Sequence, residues 1–427
     1  MSGPAGRPSW DRRDFRRLWL GETVSMVGSH VSELAVPLTA LLVLGAGPAQ
    51  LGLLSALQYL PIVLVTLPAG VLADRCNPRH IIVLADAGRA AVYGSAALLA
   101  ATGVLSLPVL GALAFAGGVL TAVFDVAYTA YLPTLVPEAA LVDANARLEA
   151  SSSVAEIGGK GLAGLLVQVA GVPAALLADA ASYVCSGAAV LAIRRRPAAP
   201  ARAPVTLAAV VRDVRAGLAL TFRSDVLRPL MVQSAWLNML LEVAFVILPL
   251  YAVKELGLGA AALGLVLAVG SVGALAGCVS AAWLGRRRGV RSALVAGMGL
   301  ACCGLALVPL APQPPALAAL ALTVALAVHG FGLGVFNVHS LSLRQLATPA
   351  EVLGRTIASY RLVTWGGIPV GALIGGTAAA ALGPREALAA VACGLAASAL
   401  LFALTMERRF PHSAAHLAVP SLSPGDR

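Results

Sequence analysis

Charged residues are scarce in this chain of 427 residues. Only 12% are Asp, Glu, Lys or Arg, which is about half the share in an ordinary soluble domain. Hydrophobic residues make up 59%, and the mean hydropathy is +0.87. A soluble protein of this composition would lack the polar side chains that cover a water-facing surface. The scarcity of charge therefore excludes a soluble globular domain and indicates an integral membrane protein.

Lysine and aromatic residues are also rare, and their scarcity narrows the class further. Only two of the 30 basic residues are Lys, and aromatic residues make up 5% of the chain. The net charge of +10 does not indicate nucleic-acid binding, because the Arg residues lie in short loops between apolar runs. No alternation of apolar and polar residues recurs in segments of about ten residues, which excludes an outer-membrane barrel. The chain is predicted to be an all-α polytopic membrane protein.

Motifs for cofactor chemistry are missing as well. The six cysteines show no CxxC pair or metal-ligand spacing, and five of them lie inside apolar runs. No nucleotide-binding Gly-x-x-x-x-Gly-Lys-Ser/Thr sequence is present, and nothing resembles a hydrolytic triad. Residues 1–14 are polar and basic, without the apolar core of a cleavable signal peptide. We therefore expect no enzymatic activity, no cofactor and no metal site.

What the chain does contain is a series of twelve apolar runs, each long enough to cross about 30 Å of hydrocarbon. Predicted spans 1 to 12 cover approximately residues 15–44, 50–73, 80–101, 106–132, 143–170, 172–193, 228–253, 259–285, 290–310, 315–343, 353–381 and 384–405. They form two six-helix halves, 15–193 and 228–405, joined by a linker at 194–227 and flanked by tails at 1–14 and 406–427. A duplicated arrangement of this kind, in two pseudo-symmetric halves, is typical of secondary transporters.

The loop charges predict the orientation in the membrane. Odd-numbered loops contain only two basic residues, Lys254 and Arg385, whereas the even-numbered loops, the linker, the tails and the span ends that adjoin them contain 25. Basic residues concentrate on the cytoplasmic side of membrane proteins. We therefore expect a multi-pass protein of the cytoplasmic (inner) cell membrane, with both termini and the linker in the cytoplasm.

The loop after span 2 carries a recognisable motif, from Gly70 through Asp74, Arg75 and Arg79 to His80. It resembles the loop signature of the major facilitator superfamily, Gly-x-x-x-Asp-Arg/Lys-x-Gly-x-Arg/Lys-Arg/Lys. Asn77 stands in place of the second glycine, and we expect Asn to tolerate the left-handed backbone that a glycine would supply. The resemblance implies a major facilitator fold in which Gly70, Asp74, Arg75 and Arg79 form a cytoplasmic gate between the two halves.

Three further segments extend the resemblance over roughly residues 14–193. Leu132–Pro137, Ala144–Ala146 and Asp179–Tyr183 are similar to the branch that contains macrolide and siderophore exporters, which is classed among drug:proton antiporters. One departure lies in span 5, where Lys160 occupies a position at which antiporters of this superfamily often have proline in a Gly-Pro-rich motif. The resemblance implies proton-coupled efflux, and the departure adds a cation to the membrane interior.

Several acidic residues lie inside the predicted spans, where each charge costs at least ~2.5–3.5 kcal/mol unless it is paired or faces water. Four are candidates for proton coupling: Glu33, Asp125, Glu156 and Glu242. Glu156 and Lys160 are one helical turn apart, so the alternative for them is a structural ion pair. Asp125 has no base within four residues and therefore needs a proton or a partner from another helix.

Other polar and aromatic residues in the spans are candidates for the cavity wall or for ion pairs. They are Lys160, Arg361, Tyr128, Tyr131, Asn238, Phe245, Phe336 and Trp365. The alternatives are ordinary packing for the aromatic side chains and a position at the cytoplasmic interface for Arg361.

The expected function is secondary active transport, with a small molecule, protons and the lipid bilayer as partners and a monomer as the working unit. Proton-coupled efflux of an amphipathic drug-like, antibiotic or siderophore-like molecule is the interpretation that the resemblance favours. Two alternatives stay open: proton-coupled uptake of a small nutrient, and a membrane sensor or scaffold that transports nothing.

Overall fold

The structure, a computed structural model, describes residues 12–194, 207–224, 226–348 and 353–409, and within these helices it leaves a few side chains undescribed. Most of the predicted tails and the first part of the linker lie outside these residues. The described residues contain no strand. They form α1 (Arg12–Leu38), α2 (Pro48–Arg75), α3 (Pro78–Ala101), α4 (Leu107–Leu135), α5 (Glu138–Leu191), α6 (Leu207–Arg223), α7 (Leu227–Leu250), α8 (Ala260–Arg288), α9 (Val290–Ala306), α10 (Pro315–Leu346), α11 (Leu353–Leu382) and α12 (Pro384–Arg409).

The α5 helix contains two membrane spans. Its backbone leaves the helical region at Gly171, where φ is 80° and ψ is 171°. A positive φ is a conformation that glycine adopts without a steric penalty, and Pro173 then restarts the helix. Eleven helices in the described ranges are long and apolar enough to span a membrane, and α5 counts twice. The predicted all-α fold with twelve spans is therefore confirmed, with α6 as the amphipathic part of the linker.

The helices pack in two groups. In the first group α5 packs against α1 and α3, and α4 packs against α2 and α3. In the second group α10 packs against α8 and α9, while α7 packs against α11 and α12. Large apolar side chains such as Val169 (78% exposed) and Val279 (77% exposed) cover the outside of the bundle. A surface of this kind suits lipid, because the acyl chains accept apolar side chains without cost.

Contacts between the two groups run mainly through α2 with α11 and α5 with α8. We call the side of the bundle where α1 begins and α12 ends the terminal face, and the side with loops 44–47 and 256–259 the opposite face. A Cβ atom on Gly52 would lie only 2.7 Å from the Cα atom of Gly376, and one on Gly164 only 2.9 Å from that of Gly264. Since all four glycines lie within a few turns of the opposite face, the two groups are closely packed there.

An internal repeat relates the two groups, with equivalent residues 212 positions apart. Positions 37–47 and 249–259 share the pattern Pro-Leu-x-Ala-x-x-x-Leu-Gly-x-Gly. Both copies end their first helix in a π-helical turn, Thr39–Val43 and Tyr251–Glu255. The same offset relates the glycines with positive φ, 45 with 257 and 171 with 383, and the packed glycines, 52 with 264 and 164 with 376. The two glycine contacts are therefore symmetry equivalents of each other.

Asn77 caps a helix. Its side chain accepts a hydrogen bond from the backbone N–H of Arg79 at 3.0 Å, and Pro78 fills the first helical position of α3. Its backbone is extended, with φ −66° and ψ 117°, so the expected use of left-handed backbone at Asn77 is wrong. The loop keeps a tight turn because an N-cap, rather than a glycine, starts the next helix.

Candidate transport cavity

A cavity of about 180 Å³ lies between the two groups of helices, beside the glycine contacts. It is lined by α1, α2 and α5 of the first group and by α7 and α8 of the second. Its polar side chains include Glu33, Ser55, Tyr59, Lys160 and Glu242, and its apolar wall includes Phe245. Three of the predicted charged residues thus meet in one cavity, although they come from three different helices.

Glu242 is held by a neutral partner from the other group of helices. The Ser55 hydroxyl on α2 donates to the Glu242 Oε1 atom on α7 at 2.6 Å. In the described part of the chain no basic side chain forms an ion pair with Glu242. Glu33 lies within electrostatic range of the same carboxyl group. Glu242 therefore combines a position at the cavity wall with a hydrogen bond that joins the two groups.

Glu156 and Lys160 form the ion pair that their spacing allows. The Lys160 ammonium donates to Glu156 Oε1 at 2.7 Å, and the Ser271 hydroxyl on α8 donates to the same oxygen at 3.0 Å. The Lys160 side chain is 17% exposed and that of Glu156 is 40% exposed, so the pair borders the cleft. The hydrogen bond from Ser271 to Glu156 is a second polar connection between the groups, next to the contact of Gly164 with Gly264.

Glu33 pairs with a histidine one turn earlier. The His30 Nδ1 and Glu33 Oε2 atoms are 2.8 Å apart, and Glu33 also lies within electrostatic range of Lys160. In the internal repeat, His30 is equivalent to Glu242, since their numbers differ by 212. The two groups therefore place a titratable side chain at the same position of their first helices.

Asp125 and Arg361 lie nearer to the terminal face. Asp125 on α4 is exposed and Arg361 on α11 is exposed, and each lies in the electrostatic range of the other. The Arg361 guanidinium stacks over the Trp365 ring, 4.1 Å from its centroid. These two residues belong to different groups of helices and form no ion pair with each other.

Two aromatic residues predicted for the cavity wall are buried in the cores instead. Tyr131 is 0% exposed and Phe336 is 1% exposed, and Phe336 packs edge-on against Phe402 at 5.8 Å between centroids. The prediction that they line the cavity is corrected, because helical position alone does not distinguish a cleft face from a core face.

Two other candidates have structural contacts as well. Tyr128 stacks on Phe124 at 5.7 Å, and the Asn238 amide donates to the Thr364 carbonyl oxygen at 2.9 Å, which ties α7 to α11.

The predicted gate is described only in part. The structure does not describe the packing of Gly70 or the side chains of Asp74 and Arg75. Arg79 is 8% exposed, and its guanidinium donates to the carbonyl oxygen of Leu191 at 2.7 Å. Because Leu191 ends α5, Arg79 in this conformation bonds within its own group and not to the other half.

A buried cluster of charged side chains lies within the first group. Asp86 and Arg89 form an ion pair, and the Arg89 guanidinium lies between two rings, 3.9 Å from the Phe124 centroid and 4.2 Å from that of Tyr183. Asp179, which is 0% exposed, accepts a hydrogen bond from Ser182. Asp179 belongs to the sequence motif 179–183 and lies within electrostatic range of Arg89. This proximity is a tertiary contact, which residue spacing does not encode.

The two hydroxyl partners of the cavity acids were not predicted. Ser55 and Ser271 lie in apolar spans and carry no charge, so nothing in their local pattern marks them. The repeat offset would have indicated that α2 and α8 occupy equivalent places beside the cleft.

Comparisons with known proteins agree with this architecture. A family model described as a transmembrane secretion effector matches residues 9–422. The MFS-type transporter y4rN of Sinorhizobium fredii is 28% identical over 366 residues, which cover 84% of this chain and 87% of that protein.

Two solved structures of a bacterial homologue of the iron transporter ferroportin have the same fold. The inward-facing state gives a TM-score of 0.74 at 19% identity, with 93% of this chain and 98% of that chain covered. The outward-facing state gives a TM-score of 0.62 at 20% identity, with 93% and 99% covered. At these identities the likeness shows the fold.

Proposed function

Because this chain belongs to the transmembrane secretion effector family of major facilitator-type transporters, we propose that it exports an amphipathic small molecule in exchange for protons. Family membership makes it a multi-pass membrane transporter and not an enzyme. The resemblance of its first half to macrolide and siderophore exporters supports efflux as the direction. The halves that move are residues 15–193 and 228–405, and 194–227 is the linker between them.

The observation that carries the proposal is the environment of Glu242. Its carboxyl group faces the cavity, has a hydroxyl partner from the other half, and has no cationic partner in the described ranges. A charged carboxylate is costly to enclose away from water, whereas a protonated one is much cheaper. The protonation of Glu242 therefore changes the free energy of closing the two halves around it.

This dependence gives a cycle of alternating access. A proton taken up from outside neutralises Glu242 and allows the opposite face to close, with the glycine contacts of α2 with α11 and α5 with α8 formed. Release of the proton toward the terminal face leaves a charged Glu242 in the cavity while the opposite face is closed, which favours reopening on that face once substrate is bound. Net exchange of substrate for protons follows from these two steps.

The orientation follows from the loop charges. With the basic terminal face in the cytoplasm, the opposite face, which the glycine contacts close in the described conformation, lies toward the outside. Asp74, Arg75 and Arg79 then form the gate that closes the cytoplasmic side in the other state. The cavity lies between helices of one chain, so one chain is the working unit.

Growth assays test the proposal. Expression in a bacterial host that lacks its own exporters is expected to raise resistance to at least one amphipathic antibiotic in a panel. Cells should then accumulate less of that antibiotic, and an uncoupler that collapses the proton gradient should restore accumulation. Higher antibiotic accumulation in expressing cells, reversed by the uncoupler, would instead indicate uptake and contradict the proposal.

A further inference from the structure

The α6 helix of the linker presents a face that combines positive charge with apolar side chains. Arg212, Arg215, Ala219 and Phe222 follow one another at steps of three and four residues, and all four side chains are exposed. Side chains at these steps lie on the same side of a helix. Arg223 lies on this exposed side as well, and Phe222 is 48% exposed.

The other side of α6 is anchored to the bundle. Thr221 is 0% exposed, and the Ser359 hydroxyl on α11 donates to the carbonyl oxygen of Val214 at 3.0 Å. The helix also contacts α7 of the second half and α2 of the first half. Ser359 lies near the start of α11, which is at the terminal face, so α6 is attached to the bundle on that side.

The arginines of the exposed face have no anionic partner in the protein as far as it is described. Arg212, Arg215 and Arg223 form no ion pair among the described residues. Ala208, Val211, Arg212 and Arg215 line an open groove on this face. Three guanidinium groups beside a phenyl ring and short aliphatic side chains match a surface that offers phosphate and hydrocarbon within a few ångströms of each other. The headgroup region of a phospholipid bilayer is such a surface.

We infer that the exposed face of α6 is a binding site for the headgroups of anionic phospholipids. The guanidinium groups bind the phosphate oxygens, which they contact with two parallel N–H donors, while the Phe222 ring enters the acyl region. A free inorganic phosphate would satisfy the arginines but would leave the phenyl ring in water. Because α6 contacts both halves and is bonded to α11, a bound lipid is attached to the elements that move against each other.

The test measures lipid retention by the full-length protein in detergent. Native mass spectrometry is used to titrate the protein with phosphatidylglycerol and, separately, with phosphatidylcholine. Each basic residue near an anionic surface strengthens binding about fivefold. The variant Arg212→Gln/Arg215→Gln/Arg223→Gln is therefore expected to bind phosphatidylglycerol at least about tenfold more weakly than the wild type, whereas phosphatidylcholine binding stays as it was.

Two further variants make the result specific. Arg286→Gln/Arg287→Gln/Arg288→Gln removes the same charge from the end of α8 and should weaken phosphatidylglycerol binding less than the α6 glutamine variant does. Arg212→Lys/Arg215→Lys/Arg223→Lys keeps the charge and should retain most of the binding, which separates loss of the site from misfolding. Equal losses in the two glutamine variants, or undiminished binding in the α6 glutamine variant, would overturn the inference. Displacement of the lipid by millimolar inorganic phosphate would overturn it too.

Discussion

The carboxyl groups beside the cleft have different partners, and the partner determines what each can do. Glu156 has the Lys160 ammonium at 2.7 Å, whereas the hydrogen-bond partner of Glu242 among the described residues is the Ser55 hydroxyl at 2.6 Å. A carboxylate next to a fixed cation keeps its charge at little cost, and one next to a hydroxyl does not. We therefore assign the exchangeable proton to Glu242 and a structural function to the Glu156–Lys160 pair.

Substituting Glu242→Gln tests this assignment. Glutamine has nearly the same shape and retains an oxygen for the Ser55 hydrogen bond, but it cannot bind or release a proton. Proton-driven flux in proteoliposomes should fall at least about tenfold, which corresponds to ~1.4 kcal/mol in a barrier. Ser55→Ala is the matched control, since it removes the hydrogen bond but keeps the carboxyl group, and it should retain coupled flux. Wild-type flux in Glu242→Gln would contradict the assignment.

A double-mutant cycle tests the pair in α5. Glu156→Gln and Lys160→Met each leave one charge without its partner, and each should lower the melting temperature of the purified protein. Because both side chains are partly exposed, we expect a loss of only about 1–2 kcal/mol for each, less than for a fully buried pair. The double variant should recover most of that loss. Strictly additive losses would mean that the two charges do not stabilise each other.

Local spacing predicted part of this chemistry. A pair four residues apart on one helix is fixed by helical geometry, so Glu156 with Lys160 could be predicted from the sequence. The bonds of Ser55 to Glu242 and Ser271 to Glu156 join helices that are 187 and 115 residues apart in sequence, and no local pattern encodes them. The same limit explains why the prediction for Tyr131 and Phe336 is wrong, since they pack in the cores.

At the scale of helices, glycine sets how closely the two halves approach. Cβ atoms at Gly164 and Gly264 would meet the backbone of the opposing helix, as would those at Gly52 and Gly376. Small residues at such crossings allow backbone contact within a membrane. Each contact lies near the opposite face, so these two crossings hold that face closed in the described conformation.

Adding a methyl group at one crossing should open the closed face. Gly164→Ala inserts a Cβ atom against Gly264, and overpacking of this kind costs ~1–3 kcal/mol. Gly158→Ala is the control on the same helix, because a Cβ atom there has no neighbour within 4 Å. Spin labels on the exposed residues Thr102 and Ala316 would report the separation across the opposite face by electron–electron double resonance.

The expected result is a longer or broader distance distribution for Gly164→Ala and an unchanged one for Gly158→Ala. Identical distributions in the wild type and both variants would mean that the glycine contact does not hold the face closed.

The helices themselves were largely predictable. Runs of apolar residues and their Gly and Pro boundaries depend on local chemistry, and the division of α5 at Gly171 and Pro173 follows from such signals. The helix crossings were harder to predict from the sequence, because a glycine that packs against another helix and a glycine that faces lipid look alike within one span. The 212-residue offset supplies the missing signal, because it relates position 52 to 264 and position 164 to 376.

At the scale of the whole molecule, charge and hydropathy determine the architecture, and the cavity determines the chemistry. Twelve spans and a positive-inside pattern are properties of long segments, so the sequence alone sufficed to predict the fold. The substrate is different. An apolar wall with a few polar groups recognises shape and charge rather than a fixed set of hydrogen bonds, so the substrate class rests on transport assays.

Transport polarity is the most direct test of proton-driven export. Membrane vesicles are prepared inside-out and right-side-out, and the probe is the antibiotic to which expression gives the highest resistance in the panel. The account predicts that inside-out vesicles with an acidic interior accumulate this antibiotic and release protons as they do so, and that Glu242→Gln vesicles do neither. Accumulation in right-side-out vesicles driven by external acid would contradict it.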